Sequence, residues 1–290
     1  MTSVNFQTQR HPKGLPAELS QLNRTLVMGV LNVTPDSFSD GGQFDDTKRA
    51  VEHGLQMVAD GADIVDVGGE STRPGAQRVT LEDELNRVIP VVTMLVKSGA
   101  VVSVDTMRSE VAQAAFDVGA QIINDVSAGQ ADEGMLPAVA KMDIPFISMH
   151  WRGHSDQMTS LTDYQDVVTD VMTEMQVQVD RALGAGIDQN SIILDPGIGF
   201  AKTVEQNWPI LAHLNRFSGL GYPLVVGVSR KKFLGELLSK DGETRPVHLR
   251  EHATTALTTL LASAGIWCVR VHDVLAARDA ISVVERLKLT

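Results

Sequence analysis

The sequence predicts a single (β/α)8 barrel of the TIM type with eight parallel strands. Short runs rich in Val, Ile and Leu alternate along the chain with longer stretches whose apolar residues recur every three or four positions. There are eight such runs, which is the number of strands that closes a barrel. Apolar residues make up 43% of the 290 residues but aromatic residues only 4%, and this favours buried parallel strands over an aromatic-rich sandwich.

The predicted strands are residues 26–31, 63–67, 101–104, 121–123, 145–149, 191–194, 224–228 and 266–271. Helical spacing marks, among others, residues 47–60, 81–97, 109–118, 164–183 and 252–263. A glycine at the end of a helix relieves the left-handed turn that leads into the next strand. Such glycines are Gly61, Gly99, Gly119, Gly186, Gly221 and Gly265. An open doubly wound sheet is the main alternative, and the absence of a G-x-G-x-x-G pattern after the first strand disfavours it.

The chain reads as one domain, since it shows no shift in composition and no low-complexity linker. We expect residues 25–290 to form the barrel and the polar residues 1–24 to form a loosely ordered extension. No apolar segment resembles a signal peptide or reaches the ~20 residues of a membrane span. The single cysteine, Cys268, stands in an apolar run, which predicts a buried thiol and fits a reducing cytoplasm.

The formal net charge of −11 disfavours nucleic acid and anionic membranes as partners. An anionic substrate would therefore require a local cluster of basic side chains. No zinc-ligand spacing, G-x-S-x-G elbow or Walker loop is present in the sequence, so the hydrolase and nucleotide-kinase classes lack their usual motifs.

Polar side chains stand where the predicted strands end, and in a barrel the carboxyl ends of the strands form the active-site face. These residues are Asn32, Asp66, Asp105, Asn124 with Asp125, His150, Asp195, Ser229 with Lys231, and Arg270 with His272. Together they predict a polar pocket at the mouth of an apolar barrel.

Two groups within this set suggest different ligands. Arg270 and His272 are two residues apart on one strand and suit a phosphate or pyrophosphate, unless they are a surface arginine and a helix cap. Asp105, Asn124 and Asp195 are rich in acceptors and suit a ligand edge rich in N–H donors. Helix capping is the competing interpretation for these three residues. The basic residues 230–232, directly after a buried strand, favour a role in ligand binding.

Eight motifs give the chain a specific family resemblance. MGVLNVTPDSFSDGG at residues 28–42 and DVGGESTRPGA at residues 66–76 resemble the first two loop motifs of the dihydropteroate synthases. The resemblance continues, in the expected order, through SVDT (103–106), NDVS (124–127), SMH (148–150), DPGIGF (195–200), GVSRK (227–231) and RVHDV (270–274). It covers residues 26–288, nearly the whole chain.

The resemblance implies a cytoplasmic enzyme that condenses a dihydropterin pyrophosphate with p-aminobenzoate and is a target of sulfonamides. The pterin pocket would consist of Asp105, Asn124, Met149, Asp195, Gly227 and Lys231. Pyrophosphate would be bound by Asn32, Thr72, Arg73, Arg270 and His272, with a magnesium ion on Asn32. The p-aminobenzoate would lie among Phe38, Pro74, Phe200, Ser229 and Lys231. Asp105, Lys231, Arg270 and His272 would carry the catalytic roles, in a chain that forms a homodimer.

Two alternatives stay open from the sequence. A methyltetrahydrofolate-dependent methyltransferase domain shares the barrel and the pterin pocket, but it needs no site for pyrophosphate. A non-catalytic paralogue would keep the pocket only for binding. One position departs from the family pattern: Lys232 stands where many family members carry a serine, which leaves its contact with p-aminobenzoate open.

Overall fold

The computed structural model describes residues 10–34, 42–70, 78–154 and 157–289, with side chains from residue 46 onward in the second segment. Eight strands are present, and their bounds are β1 Leu26–Asn32, β2 Ile64–Gly68, β3 Val102–Asp105, β4 Ile122–Asp125, β5 Phe146–Met149, β6 Ile192–Asp195, β7 Val225–Val226 and β8 Cys268–Val271. All of the pairings between them are parallel. Their order in the sheet is β6-β5-β4-β3-β2-β1-β8-β7.

The sheet curls round so that its two edge strands meet. Leu194 of β6 forms a parallel bridge with Leu224, which directly precedes β7, and the Leu194 amide donates to the Pro223 carbonyl at 2.9 Å. Each strand is short and buried, as expected when both faces of a parallel sheet are covered. The predicted (β/α)8 barrel is confirmed.

Eleven α-helices lie within the described residues, and most of them surround the barrel. They are α1 Ala17–Ser20, α2 Gly42–Ala59, α3 Leu81–Lys97, α4 Ser109–Asp117, α5 Met135–Met142, α6 Val167–Gly184, α7 Asn207–Ala212, α8 Leu214–Ser218, α9 Lys232–Leu237, α10 Glu251–Ser263 and α11 Val274–Lys288. The six glycines predicted to end helices all have positive φ, between +72° and +103°. None of these helices combines the length and apolar character that a bilayer span requires.

The expectation of a loosely ordered extension is wrong for residues 10–24, the part of it that the structure describes. Leu15 and Leu19 are buried in the same apolar cluster as Trp267, and the Trp267 indole N–H donates to His11 Nδ1 at 3.2 Å. His11 Nε2 in turn lies 2.9 Å from the Leu22 carbonyl oxygen. This segment contributes apolar side chains to the barrel core, which a count of polar residues did not predict.

The core has two main layers. One lies between the strands and the surrounding helices, and includes Val65, Val104, Ile123, Phe146 and Val269. The other fills the barrel interior and is described with the site below. Cys268 is a free, fully buried thiol, as predicted.

Candidate active site

The barrel interior is apolar at one level and polar at the next. Side chains of a strand alternate between two faces, so a residue two positions after an interior residue faces the interior again. The apolar level contains Met28, Ile64, Ile122, Ile147, Ile193, Val225 and Cys268. Two positions further on stand Val30, Asp66, Asn124, Met149, Asp195, Gly227 and Arg270. The strand period thus gathers polar residues from four segments of the chain above an apolar floor, and Asp105 at the end of β3 joins them through its contact with Arg270.

Arg270 lies at the centre of this polar level, between two carboxylates. Its Nε donates to Asp66 Oδ2 at 2.6 Å and its Nη2 donates to Asp105 Oδ2 at 2.7 Å. Asn124 Nδ2 donates to the same oxygen of Asp66 at 3.0 Å. The side chain of Arg270 is only 22% exposed, which excludes the surface-arginine interpretation. The sequence marked Asp66 only as a polar residue at the end of a strand. Its position two residues after the apolar Ile64 was the signal that its side chain faces the barrel interior.

The surroundings of the Asp105 carboxyl group favour its neutral form. Burial raises the pKa of Asp105 to about 7, although the Arg270 guanidinium acts in the opposite direction. The nearby carboxylates of Asp66 and Asp125 raise this pKa further. Arg270 therefore stabilises the ionised form of Asp105 in surroundings that otherwise favour the neutral form.

Helix capping does not explain the three predicted acceptors Asp105, Asn124 and Asp195. The helices after their strands begin later in the chain, at the N-cap residues Arg108, Gly134 and Gln206. Local turn contacts are made by Asp125, whose carboxylate accepts from the amides of Ser127 and Gly129 at 2.7 and 2.6 Å, and by Asp195 through the Gly197 amide. Asp105 and Asn124 are thus held by other side chains of the barrel interior.

Asp195 and Lys231 form the opposite side of the polar level. The Gly197 amide donates to Asp195 Oδ1 at 2.7 Å. Burial raises the pKa of Asp195 and lowers the pKa of Lys231 to about 8, and each charge counteracts the shift of the other. Lys231 Nζ donates to the Ile198 carbonyl and lies 4.8 Å from the centre of the Phe200 ring.

The turn after β7 directs Lys231 into the barrel. Arg230 has a φ of +59°, a left-handed conformation that is uncommon for residues other than glycine. The start of α10 holds this turn, because the Arg230 amide donates to Thr254 Oγ1 at 3.2 Å and Arg250 Nη1 donates to the Arg230 carbonyl at 2.9 Å. The Arg230 side chain also pairs with Glu251 at 2.8 Å. Three contacts from one helix therefore stabilise a strained turn.

Ser229 and His272 contact each other across β7 and β8. The His272 amide donates to Ser229 Oγ at 3.2 Å, and His272 Nδ1 lies 2.9 Å from the same oxygen. An oxygen that accepts from the amide can donate its own hydrogen to Nδ1, which leaves the ring proton of a neutral imidazole on Nε2. This arrangement fixes the orientation of the His272 ring.

Apolar side chains close one side of the pocket. Met149 packs with Met107 and Val126, and Phe200 packs against this cluster. Gly227 lies close to both cations of this level, since a Cβ at this position would lie 3.6 Å from Arg270 Cβ and 3.9 Å from Lys231 Nζ. A flat ligand could therefore have polar edges bound by the acceptors and a face against Met149.

Of the remaining predicted residues, some lie outside the part of the chain that the structure describes and one lies within it. Phe38, Thr72, Arg73 and Pro74 lie outside the described residues, and their roles stay predictions. Asn32 ends β1 in register with Gly68 and is partly buried. Among the described side chains, no group of three or more His, Cys, Asp or Glu forms a metal cluster. Magnesium keeps several waters and takes phosphate oxygens, so a single Asn32 carboxamide is chemically compatible with it.

Comparison with known proteins identifies the class. The family model described as pterin binding enzyme matches residues 28–272, which is most of the chain. The chain therefore belongs to the family of pterin-binding enzymes.

Individual relatives narrow the comparison from the family to one kind of enzyme within it. The chain is 51% identical over 260 residues to the dihydropteroate synthase of Mycobacterium leprae, covering 89% of this chain and 92% of that protein. It is 44% identical to the Bacillus subtilis dihydropteroate synthase over 89% of this chain and 87% of that protein. Two solved structures of the Xanthomonas albilineans dihydropteroate synthase, one with 4-aminobenzoic acid and one with 7,8-dihydropteroate, match with TM-scores of 0.85 and 0.82. These two are 42% and 40% identical, cover 92% of this chain, and are covered to 94% and 95%. All of these relatives are dihydropteroate synthases.

Proposed function

We propose that the protein condenses 6-hydroxymethyl-7,8-dihydropterin pyrophosphate with p-aminobenzoate, giving 7,8-dihydropteroate and pyrophosphate. The observation that carries this proposal is the polar level of the barrel, where Asp105, Asn124, Asp195 and Lys231 converge above an apolar floor. A pterin is flat and presents a row of N–H donors, which carboxylate and carboxamide oxygens accept. The Xanthomonas relative in complex with 7,8-dihydropteroate supports the same product for this chain.

The described contacts prepare the acceptors for such a ligand. Asn124 donates through Nδ2 to Asp66, so its Oδ1 is the atom oriented to accept from a pterin. Asp195 is bound through Oδ1 to the Gly197 amide, which leaves Oδ2 for the ligand. Lys231 is the complementary donor for an acceptor on the pterin ring. These side chains are fixed before the ligand arrives, which lowers the entropy lost on binding.

Bond cleavage places positive charge on the pterin. When the bond between the pterin methylene carbon and the pyrophosphate oxygen breaks, the electron pair leaves with the oxygen and the cation delocalises into the ring. An ionised Asp105 beside the ring would stabilise this charge. The neutral amine of p-aminobenzoate then attacks the methylene carbon and afterwards loses a proton. No covalent intermediate with the protein is required.

The leaving pyrophosphate requires cations. Within the described part of the chain, Nε and Nη2 of Arg270 are bound to carboxylates, and Nη1 remains for a phosphate oxygen. His272, held through Nδ1 by Ser229, can present an N–H from Nε2 to the same anion. A magnesium ion, held by Asn32, would supply further neutralisation of the pyrophosphate.

The p-aminobenzoate subsite lies on the side of Phe200. The Phe200 ring and the Lys231 ammonium, 4.8 Å apart, offer an apolar face and a positive charge for a benzoate. Ser229 lies two residues before Lys231 in the same turn. Lys232 is 76% exposed and its Nζ lies 3.8 Å from Glu236, so the proposal assigns it no contact with p-aminobenzoate. The Yersinia pestis relative has been solved in complex with a sulfonamide drug, which supports competition by sulfonamides at this subsite.

The test is an assay of pyrophosphate release from the pterin substrate with and without p-aminobenzoate, with detection of dihydropteroate. We expect release that depends on p-aminobenzoate, and a sulfonamide should raise the KM for p-aminobenzoate. Pterin binding without turnover would favour a non-catalytic paralogue. Methyl transfer to a corrinoid protein without pyrophosphate release would favour the methyltransferase.

A homodimer in the cytoplasm completes the proposal. An apolar groove between α7, α8 and α10, with Leu211, Leu214, Leu257 and Leu260 in its lining, supports association with a second copy. Leu260 is 64% exposed, and a large apolar residue at such a groove is typical of an interface. The unpaired, buried Cys268 is compatible with the cytoplasm. Light scattering of the protein and of Leu260→Asp tests the dimer, and a monomeric wild-type protein would refute it.

A further inference from the structure

Lys202 is a buried lysine that the proposed chemistry does not use. It follows the Asp195–Phe200 segment of the loop after β6 and is 9% exposed. Its Nζ lies 3.0 Å from His150 Nδ1, 3.1 Å from the Gly197 carbonyl oxygen and 3.0 Å from the Phe200 carbonyl oxygen. An ammonium has three N–H donors, and these three acceptors match them.

The hydrogen bonds of His150 also determine which of its ring nitrogens accepts from Lys202. This imidazole is fully buried, and its Nε2 lies 2.8 Å from Glu174 Oε2. Arg152 binds the same carboxylate through Nε at 2.9 Å, which keeps Glu174 in place. A proton on Nε2 donates to Glu174 and leaves the lone pair of Nδ1 facing Lys202. Burial and the Lys202 charge lower the pKa of His150 to about 3, so the ring remains neutral and accepting.

The two carbonyls bound by Lys202 belong to the residues that form both substrate subsites. Gly197 is the residue whose amide binds Asp195, and a Cβ on Gly197 would lie 2.6 Å from the His150 carbonyl oxygen. Phe200 carries the ring beside Lys231. One ammonium therefore ties the Asp195 end and the Phe200 end of the loop to the segment after β5.

We propose that Lys202 is a positioning residue, whose ammonium, bound to His150, holds the loop after β6 so that Asp195 faces the pterin and Phe200 faces the p-aminobenzoate. The proposal rests on the proposed function for the identity of the two ligands. It predicts that loss of the ammonium impairs the use of both substrates, although Lys202 itself touches neither.

The charge of Lys202 is sensitive to pH in the physiological range. Burial lowers the pKa of Lys202 to about 7. Asp195 and Glu174 raise this pKa, whereas Lys231 and Arg152 lower it. The ammonium is present below this pKa and is lost as the pH rises through it. Removing the side-chain charge should therefore matter most at low pH, where the native lysine is protonated.

The experiment compares Lys202→Met with the wild type from about pH 6 to pH 9, a range that spans the pKa of Lys202. We expect kcat/KM for both substrates to fall about tenfold to a hundredfold at the low end, the usual effect of losing charge-assisted hydrogen bonds. The ratio of wild type to variant should shrink toward the high end, where the wild type has lost its ammonium too. Taking this ratio cancels the titration of Asp105, which both proteins share.

Control variants separate positioning from folding. Lys97→Met changes an exposed lysine of α3 and should leave the ratio near one at every pH. Lys202→Gln retains two N–H donors without the charge, so it replaces Lys202→Met if that variant does not fold, and its ratio should also shrink with pH. Near-UV circular dichroism establishes that each variant is folded.

The outcomes distinguish the two proposals. A wild type that releases no pyrophosphate contradicts the proposed function. An active wild type with folded Lys202 variants of unchanged kcat/KM contradicts the positioning role. A loss that stays constant across the pH range also contradicts it, because packing alone would give a constant ratio.

Discussion

Replacement of Asp66 by alanine is expected to destabilise the protein by about 3–5 kcal/mol, the usual effect of removing one partner of a buried charge pair. Asp66 is fully buried, and its Oδ2 accepts from both Arg270 and Asn124. In the alanine variant Arg270 keeps only Asp105 as a partner, and the Asn124 amide loses its acceptor. Two buried donors are affected by one substitution.

Asp66→Asn separates the charge from the hydrogen bonds. The carboxamide oxygen can take the place of Oδ2, and the amide nitrogen can take the place of Oδ1, which has no hydrogen-bond partner among the described residues. The contacts to Arg270 and Asn124 then persist, but the first is no longer an ion pair. The second becomes a hydrogen bond between neutral groups, which is about half as strong as a charge-assisted one. We expect a loss of about 2 kcal/mol, to which the unpaired amide contributes.

The assay is urea unfolding followed by circular dichroism at about pH 7.5, above the Asp105 pKa of about 7. Asp279→Asn, an exposed position on α11, serves as the control and should leave the stability unchanged. The expected order of stability is wild type, then Asp66→Asn, then Asp66→Ala. If Asp66→Ala stays within about 0.5 kcal/mol of the wild type, as ordinary surface changes do, the cluster does not stabilise the barrel as argued.

Three further predictions concern other parts of the site. Lys231→Met should weaken pterin binding by about tenfold or more, measured by calorimetry, because it removes a buried charged donor beside Asp195; unchanged affinity would exclude a contact with the pterin. Gly197→Ala should lower the free energy of unfolding by at least about 2 kcal/mol, because φ is +66° and the new Cβ would lie 2.6 Å from the His150 carbonyl oxygen. Thermal melts measure this loss, and an unchanged melting temperature would contradict the geometry. Burial and Lys202 lower the pKa of His150 to about 3, and hydrogen bonds from His150 and Arg152 overcome burial to lower that of Glu174 to about 2. The stability that these two groups contribute is therefore present above their ordinary pKa values of 6.5 and 4.5 and is lost as the pH falls towards 2. Glu174→Gln should make the free energy of unfolding depend less steeply on pH in this acid range.

Periodicity alone predicted the architecture because each strand and helix buries a face of its own. The strand bounds agree within two residues throughout, although β7 is shorter than predicted at both ends and only Val225–Val226 is in the ladder. The predicted strands stopped before the polar residues of β3, β4 and β6, whereas the ladder runs on through Asp105, Asp125 and Asp195. Composition could not predict this, because a polar side chain at the barrel interior is accommodated by partners on other strands.

Those partners depend on register, which the sequence does not reveal. Arg270 was expected to act chiefly on pyrophosphate, yet its guanidinium also binds Asp66 and Asp105. The distance from Arg270 to Asp66 along the chain is 204 residues, and only barrel closure brings them to one level. Lys202 escaped notice for the same reason, since its partner His150 lies on another segment of the barrel.

The charges at the polar level bear on where the proposed pyrophosphate site would lie. Asp66, Asp105 and Asp195 bring three carboxyl groups to the barrel interior, and Arg270 and Lys231 bring two cations. Because Asp66 and Asp105 bind Arg270, and Asp195 offsets the charge of Lys231, the cations are largely balanced before any substrate binds. Such a level suits a neutral, donor-rich ring better than a free anion. The negative charge of a pyrophosphate must then be met chiefly from outside this level, which fits the additional contacts predicted for His272 and Arg73 and for a magnesium ion on Asn32.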